Sequence, residues 1–503
     1  MDEKEKLVVI LKGNIYDYPV FPFNPPQEYP ELKSLPYKIE TDSANHVYEM
    51  IRKMFYMYGL KTENYGTQKW NPLSEIISNG DTVVIKPNLV LDRHPLGKIG
   101  VLSTITNSSL LRPIIDYAIL ALKENGKIVI CDAPFMSTNF ENACKMSGLI
   151  ELVNFYKSRI KNVQVLVLDL RKEITKRKGH INKIEESNGD PLGYTIIDLG
   201  NCSFHSETDT LWKLYAATGS LRFDELMIKN LKKYHSYQKH CYSIPNTILN
   251  ADVVISVPKL KSHRKAGITA ALKNFIGISG LKYLPHHKIG TPQKMGDEYP
   301  HKPSIYAIMK DKLVKTMINF PISRKVANTL LLEKHLLEPG AWHGNDTIWR
   351  TILDLNTIVK YVNKEGTLCR TPQRKFIFIV DGIICQDGEG PIFGYPKKCG
   401  VALFGTNPCA IDYVAAKLVG FDVTKLKQII APFERRNQTS YPLADFDAND
   451  INVISNVDEY VKIHELKREK SLKFRAAKGW KILEVDRYTR RQTRSPRDHK
   501  ICD

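Results

Sequence analysis

The residue types best suited to chemistry are concentrated in one run, Asp252 to Gly280 (DVVISVPKLKSHRKAGITAALKNFIGISG). It places Lys259, Lys261, His263, Arg264 and Lys265 within seven residues, and Lys273-Asn274 follow. Cations at this density can hold anionic oxygens as point charges, and a lysine desolvated among them could act as a base. His263 is of the type that serves as a general acid/base or a metal ligand. Lys86, in VVIKPN, joins His263 and Lys273 as a catalytic candidate. Asn88, Lys259, Lys261, Asn274 and Asp412 are candidates for holding an anion or substrate. A solvated basic face is the other reading of such a run.

A second concentration lies in Asp381–Pro391 (DGIICQDGEGP), where Asp381, Asp387 and Glu389 stand among glycines. Three carboxylates spaced this way could hold Mg²⁺ or Ca²⁺, or accept substrate hydroxyls. A tight turn punctuated by Asp-Gly would look the same.

These residues need elements to carry them. Asp252–Val257 reads as an apolar strand stopped by Pro258, and Gly267–Leu272 as a small-residue helix start. The cations would then sit in a loop between a strand end and a helix N-terminus, whose unpaired N–H groups also favour anions. Apolar runs at Leu7–Lys12, Thr82–Ile85, Lys127–Cys131, Val163–Leu168, Lys375–Val380 and Val401–Phe404 predict further strands. Helical periodicity is found over Ser43–Tyr58, Ser109–Asn125, Asn142–Ser158, Ile348–Val362 and Pro408–Val419. This alternation predicts an α/β fold, a mostly parallel sheet with helices on both faces. Ligands bind beyond the carboxyl ends of strands in such sheets. Lys86-Pro87-Asn88, Asp132, Lys259-x-Lys261-x-His263 and Asp381-Gly382 all lie at inferred strand ends and would converge there.

The chain divides into an N-terminal α/β part (1–245), a C-terminal α/β part (246–432) and a basic extension (433–503). Residues 282–345 read as an insertion or lid, with Lys282, His286, His287 and Lys288 and a helix candidate near Ser304–Leu336. The last forty residues, with Arg487, Arg490, Arg491, Arg494 and Arg497, read as a mobile tail.

A chain of 503 residues with 43% hydrophobic and 25% charged residues has the composition of a soluble globular protein. No apolar run approaches the roughly 20 residues of a membrane span, and the charged N-terminus does not read as a signal peptide; the cytoplasm is the expected compartment. The net charge of +19 implies an acidic partner. Nine cysteines form no C-x-x-C pair, so reduced, mainly buried thiols are expected rather than a zinc ribbon or iron–sulfur cluster. Dinucleotide, Walker A, nucleophile-elbow and zincin motifs have no suitable context.

Taken together, VVIKPNLV, GKIVICDAP, DVVISVPKLKSH…TAALKNFIGI, HGNDTIWR…DLN, FIVDGI…GEGP and GVALFGTNPCAIDYVAAKLVGF resemble the uncharacterised DUF362 family, from about residue 7 to about 432. The resemblance implies an α/β fold and directs attention to Lys86, Asn88, Lys259, Lys261, His263, Lys273, Asn274, Asp381, Glu389 and Asp412. It implies no reaction. Many members of that family carry ferredoxin-like cysteine runs, which this sequence lacks.

The leading expectation is an enzyme acting on a phosphorylated or carboxylated small molecule. Lysines would hold the anion, His263 would be the acid/base, and Asp381, Asp387 and Glu389 would bind a divalent ion. The alternative is a nucleic-acid or anionic-surface binding protein using its positive charge, although no helix-turn-helix, zinc-finger, RRM or KH signature is present.

Overall fold

The computed structural model describes residues 3–123, 125–178, 181–208, 215–216, 229–300 and 339–484. The helix expected near Ser304–Leu336 and the arginine cluster at 487–497 lie outside the described residues.

The elements that frame the site are, in chain order, β1 (Leu7–Lys12), α1 (His46–Met57), β2 (Thr82–Pro87), α2 (Ser108–Leu122), β3 (Gly126–Asp132), α3 (Phe140–Ser147), α4 (Leu149–Lys157) and β4 (Val163–Asp169). Then come β5 (Val253–Val257), β6 (Lys259–His263), β7 (Gly267–Thr269), α5 (Ala271–Asn274), α6 (Ile348–Tyr361), β8 (Lys375–Glu389), β9 (Phe393–Gly405), α7 (Pro408–Val419) and β10 (Asn452–Ser455).

These ten strands form one sheet, along the path β10-β1-β9-β8-β5-β2-β3-β4, with β6 off that path paired to β8 and β7 paired to β6. Along the path only β9 runs antiparallel to its neighbours. Strands from all three sequence segments share this sheet.

The period-two geometry of a strand divides its side chains between two cores. Val83, Ile85, Ile128, Ile130, Val253, Ile255, Ile377 and Ile379 face one layer, which includes α1 and α2. Val84, Val129, Val254, Phe378 and Val380 face the other, built with α5, α6 and α7. Helices therefore cover both faces, as the alternation of elements predicts.

Three local expectations are corrected. Lys259–His263 is a buried strand, β6, rather than a loop: Pro258 interrupts the run, and β6 then pairs parallel with β8, with a register shift between Lys259 and Lys261. The glycine-rich Asp381–Glu389 segment is not a turn but the second half of β8, paired with β9 as far as Glu389 and Phe393. Gly382 is needed there because a Cβ would stand 2.6 Å from Val401 Cγ2. The helix expected over Asn142–Ser158 is two helices broken at Gly148, which has φ +79°.

The basic extension packs on the core as far as Glu484, so the described part of the last forty residues, 464–484, is not the mobile tail expected there. Its β10 pairs parallel with β1, and Phe474, Trp480 and Leu483 are buried.

Candidate functional site

At the carboxyl ends of β2 and β3, next to β6 and α5, lies a cavity of about 480 Å³. Lys86, Lys261, His263, Lys265, Lys273, Lys282 and His286 line it, with Asn88 and Asn274. Asp132 is the one carboxylate among the described lining residues. Phe135, Met136, Ile276, Leu284, Ile348 and Ile392 supply apolar walls.

Lys86 and Asp132 form a buried ion pair at 2.6 Å. The second Asp132 oxygen accepts the Leu89 N–H at 2.7 Å, and Lys86 Nζ also donates to the Pro87 carbonyl at 2.9 Å. Asn274 ties this pair to α5, its amide donating to the Lys86 carbonyl and to Ser256 Oγ, both at 3.0 Å. Gly277 leaves room for it: a Cβ there would stand 2.3 Å from Asp132 Oδ1 and 2.7 Å from Lys86 Nζ. Asp132 therefore offsets Lys86, and among the described residues Lys261, Lys273 and Lys282 have no carboxylate partner.

Lys261 is buried and donates to the Thr104 carbonyl at 2.7 Å and to Asn88 Oδ1 at 3.4 Å. Burial first, then the charges of Lys273 and Lys259, hold its ammonium well below the ordinary lysine value. Lys282 donates to the Ala133 carbonyl at 2.6 Å, and burial lowers it to about 7. Lys273 is half-buried; burial, then the charge of Lys265, lowers it to about 8. Among the described residues the Lys273 ammonium has no hydrogen-bond or ion-pair partner.

His263 accepts the Lys265 N–H at 3.0 Å and the Ala266 N–H at 3.3 Å through Nδ1. That fixes the neutral Nε2–H tautomer. Burial, followed by the charges of Lys273, Lys261 and Lys265, holds this imidazole well below its ordinary value. His286 is lowered in the same direction, again mainly by burial.

Six of the residues singled out by sequence thus meet at one cavity: Lys86, Asn88, Lys261, His263, Lys273 and Asn274. The other five candidates, Lys259, Asp381, Asp387, Glu389 and Asp412, do not line it. Asp412, on α7, accepts the Ala271 N–H at 2.6 Å and the Leu272 N–H at 3.3 Å, so it caps the short helix that carries Lys273. Burial raises its carboxyl to about 7. Lys259 is a buried ion-pair partner of Asp381 at 3.0 Å, and Tyr18 bonds to both.

The three proposed metal ligands are likewise engaged separately. Asp381 serves Lys259, Tyr18 and the Asn107 N–H; Asp387 serves Arg475 at 2.6 Å; Glu389 serves Arg264 at 2.9 Å and the Lys478 N–H at 2.7 Å. Each lies on β8, and each is paired with a different cation, so the three are not brought together as one ligand set. Among the described residues no group of three or more His, Cys, Asp and Glu is arranged to hold a metal.

Lys282 and His286, expected in a lid, are cavity walls. Thr104 and Tyr18 carried no sequence signal, because a backbone acceptor and a tyrosine in a Pro-rich loop are recognisable only by what they touch.

Comparison with known families gives one match. The family model of DUF362, a domain of unknown function, matches residues 212–417, supporting the resemblance seen in the motifs. That span holds β5 to β9 and every candidate residue except Lys86 and Asn88, which β2 brings to the cavity from outside it. No curated protein matches the chain. Among the described residues no helix is long and apolar enough to cross a membrane.

Proposed function

We propose that this DUF362-containing chain is an enzyme acting on a small anionic molecule, carboxylated or phosphorylated, bound in the Lys/His cavity. The observation that carries this reading is the charge imbalance among the described residues: Lys261, Lys273, Lys282, His263 and His286 line a space in which Asp132 is the one carboxylate, already paired to Lys86. Burying cations without counter-charges costs several kcal/mol. An anionic ligand would offset that cost. Lys261 and Lys273 are the residues for the anion, with neutral His263 as a hydrogen-bond donor to it.

A polyanion is the second reading, supported by the net charge of +19. Nucleic-acid backbones and anionic lipid surfaces need exposed cations, whereas Lys86, Lys259 and Lys261 are almost fully buried. The cavity favours the small molecule.

The test is thermal denaturation at fixed ionic strength with phosphate, sugar phosphates, small carboxylates, divalent metals and short oligonucleotides. A ligand that binds only the folded state raises the midpoint. Stabilisation by one class of small anion, lost in a folded Lys273→Ala variant, is expected. Stabilisation by oligonucleotides alone, abolished by salt, would move the assignment to nucleic acid.

A further inference from the structure

We propose that Lys273 is a nucleophile that forms an imine with a carbonyl compound bearing an anionic group and an apolar body. This rests on the anion-site reading above and names its substrate class.

The geometry separates Lys273 from its neighbours. Lys86 is paired with Asp132, and Lys261 and Lys282 donate to backbone carbonyls. Lys273 lines the same cavity with its amine unengaged among the described residues. Its support is rigid. Asp412 holds the first N–H groups of α5, Asn356 donates to the Leu272 carbonyl at 2.8 Å, and Asn274 is pinned by Lys86 and Ser256. A reactive group on such a support loses little freedom when it meets substrate.

Attack requires the neutral amine. Apolar surroundings and a second cation nearby are the means by which a lysine is kept neutral for carbonyl chemistry, and Lys273 has both, in Ile276 and Leu284 of the wall and in the charge of Lys265. The Nζ lone pair would add to the carbonyl carbon while the C=O π pair moves to oxygen. That oxygen then leaves as water, carrying the two protons that were originally on nitrogen, and a neutral C=N bond to Nζ remains, which takes up one proton from solvent to give the iminium that borohydride reduces. His263, with a protonated Nε2 and its Nδ1 occupied by backbone N–H groups, is on the cavity wall as a hydrogen-bond donor for the departing hydroxyl. The remaining lysines would hold the acid group, and the apolar walls the body of the molecule.

The probe is phenylpyruvate, with its hydroxy analogue phenyllactate as a control that cannot form an imine. The full-length protein is treated with each in the presence of borohydride, and the mass adduct is mapped by peptide analysis. Phenylpyruvate should leave about one saturable adduct per chain, on Lys273. Lys273→Arg should lose it while still being stabilised by phenyllactate. In Lys265→Met, loss of the neighbouring charge should move the pH midpoint of trapping upward. Stabilisation by both acids with no adduct on Lys273 would overturn the imine and leave the anion site standing. Stabilisation by neither acid, nor by any other small anion, would overturn both.

Discussion

If the cavity holds an anion, its binding must be coupled to proton uptake. In the empty site Lys273 and Lys282 sit at about 8 and about 7, against an ordinary value of 10.5. An anion beside them favours the charged forms and raises both values. For Lys273 the drop from 10.5 to about 8 corresponds to about 3 kcal/mol, the upper limit of what a perfectly placed anion could restore. Above its empty-site value, each lysine that must recharge reduces the affinity about tenfold per pH unit. Benzenesulfonate is a suitable ligand because it stays ionised throughout. Between about pH 7 and about pH 9 its affinity should fall by roughly 10-fold if Lys273 alone takes part and by roughly 500-fold if both lysines do. Titration calorimetry in two buffers of different ionisation enthalpy should report about one to two protons taken up per anion near the upper end of this range. Lys273→Met should remove part of that uptake. An affinity that is flat with pH, with heats independent of buffer, would refute the placement of neutral lysines around the ligand.

Three further outcomes follow from the geometry around the site. Gly277→Ala puts a methyl group 2.3 Å from Asp132 Oδ1, so it should cost about 1–3 kcal/mol in urea unfolding and abolish anion stabilisation; normal binding would contradict the Lys86–Asp132 arrangement. Asp412 is raised to about 7 in the folded chain, so the fold binds its proton more tightly than the unfolded chain does. Its contribution is fully present below the usual carboxylate range and is lost as pH rises toward about 7; Asp412→Asn should flatten that part of the stability profile, read as melting temperature against pH. Asp381→Asn leaves the Lys259 ammonium buried beside a neutral amide and should destabilise by about 3–5 kcal/mol, measured by denaturant titration, whether or not divalent ions are added.

Much of the fold was legible because buried strands in parallel sheets are short apolar runs and their helices carry one apolar stripe. β1, β3, β4, β5 and α7 are recognisable on that ground alone. The elements misread were those in which local signals conflict with tertiary pairing. Asp381-Gly382 has the composition of a turn, yet β9 and β6 supply partners on both edges and keep the chain extended. Pro258 ends β5 but not the extended run, because β8 continues past it and offers β6 a ladder. Gly148 breaks what periodicity reads as one helix.

The same division holds at the site. By itself the sequence determined that cations of a certain type would stand at strand ends, since chain order and the two-residue period fix which residues a strand delivers to its carboxyl end. It could not assign their charges to partners. Lys259 and Lys261 are two residues apart, yet one faces Asp381 and the other the Thr104 carbonyl. Asp412 and Lys273 are far apart in the chain, yet one caps the helix that carries the other. Coulombic and hydrogen-bond energies depend on distances between atoms that only the packed sheet brings together, so which lysine is neutralised and which meets the cavity unpaired was decided by the tertiary structure.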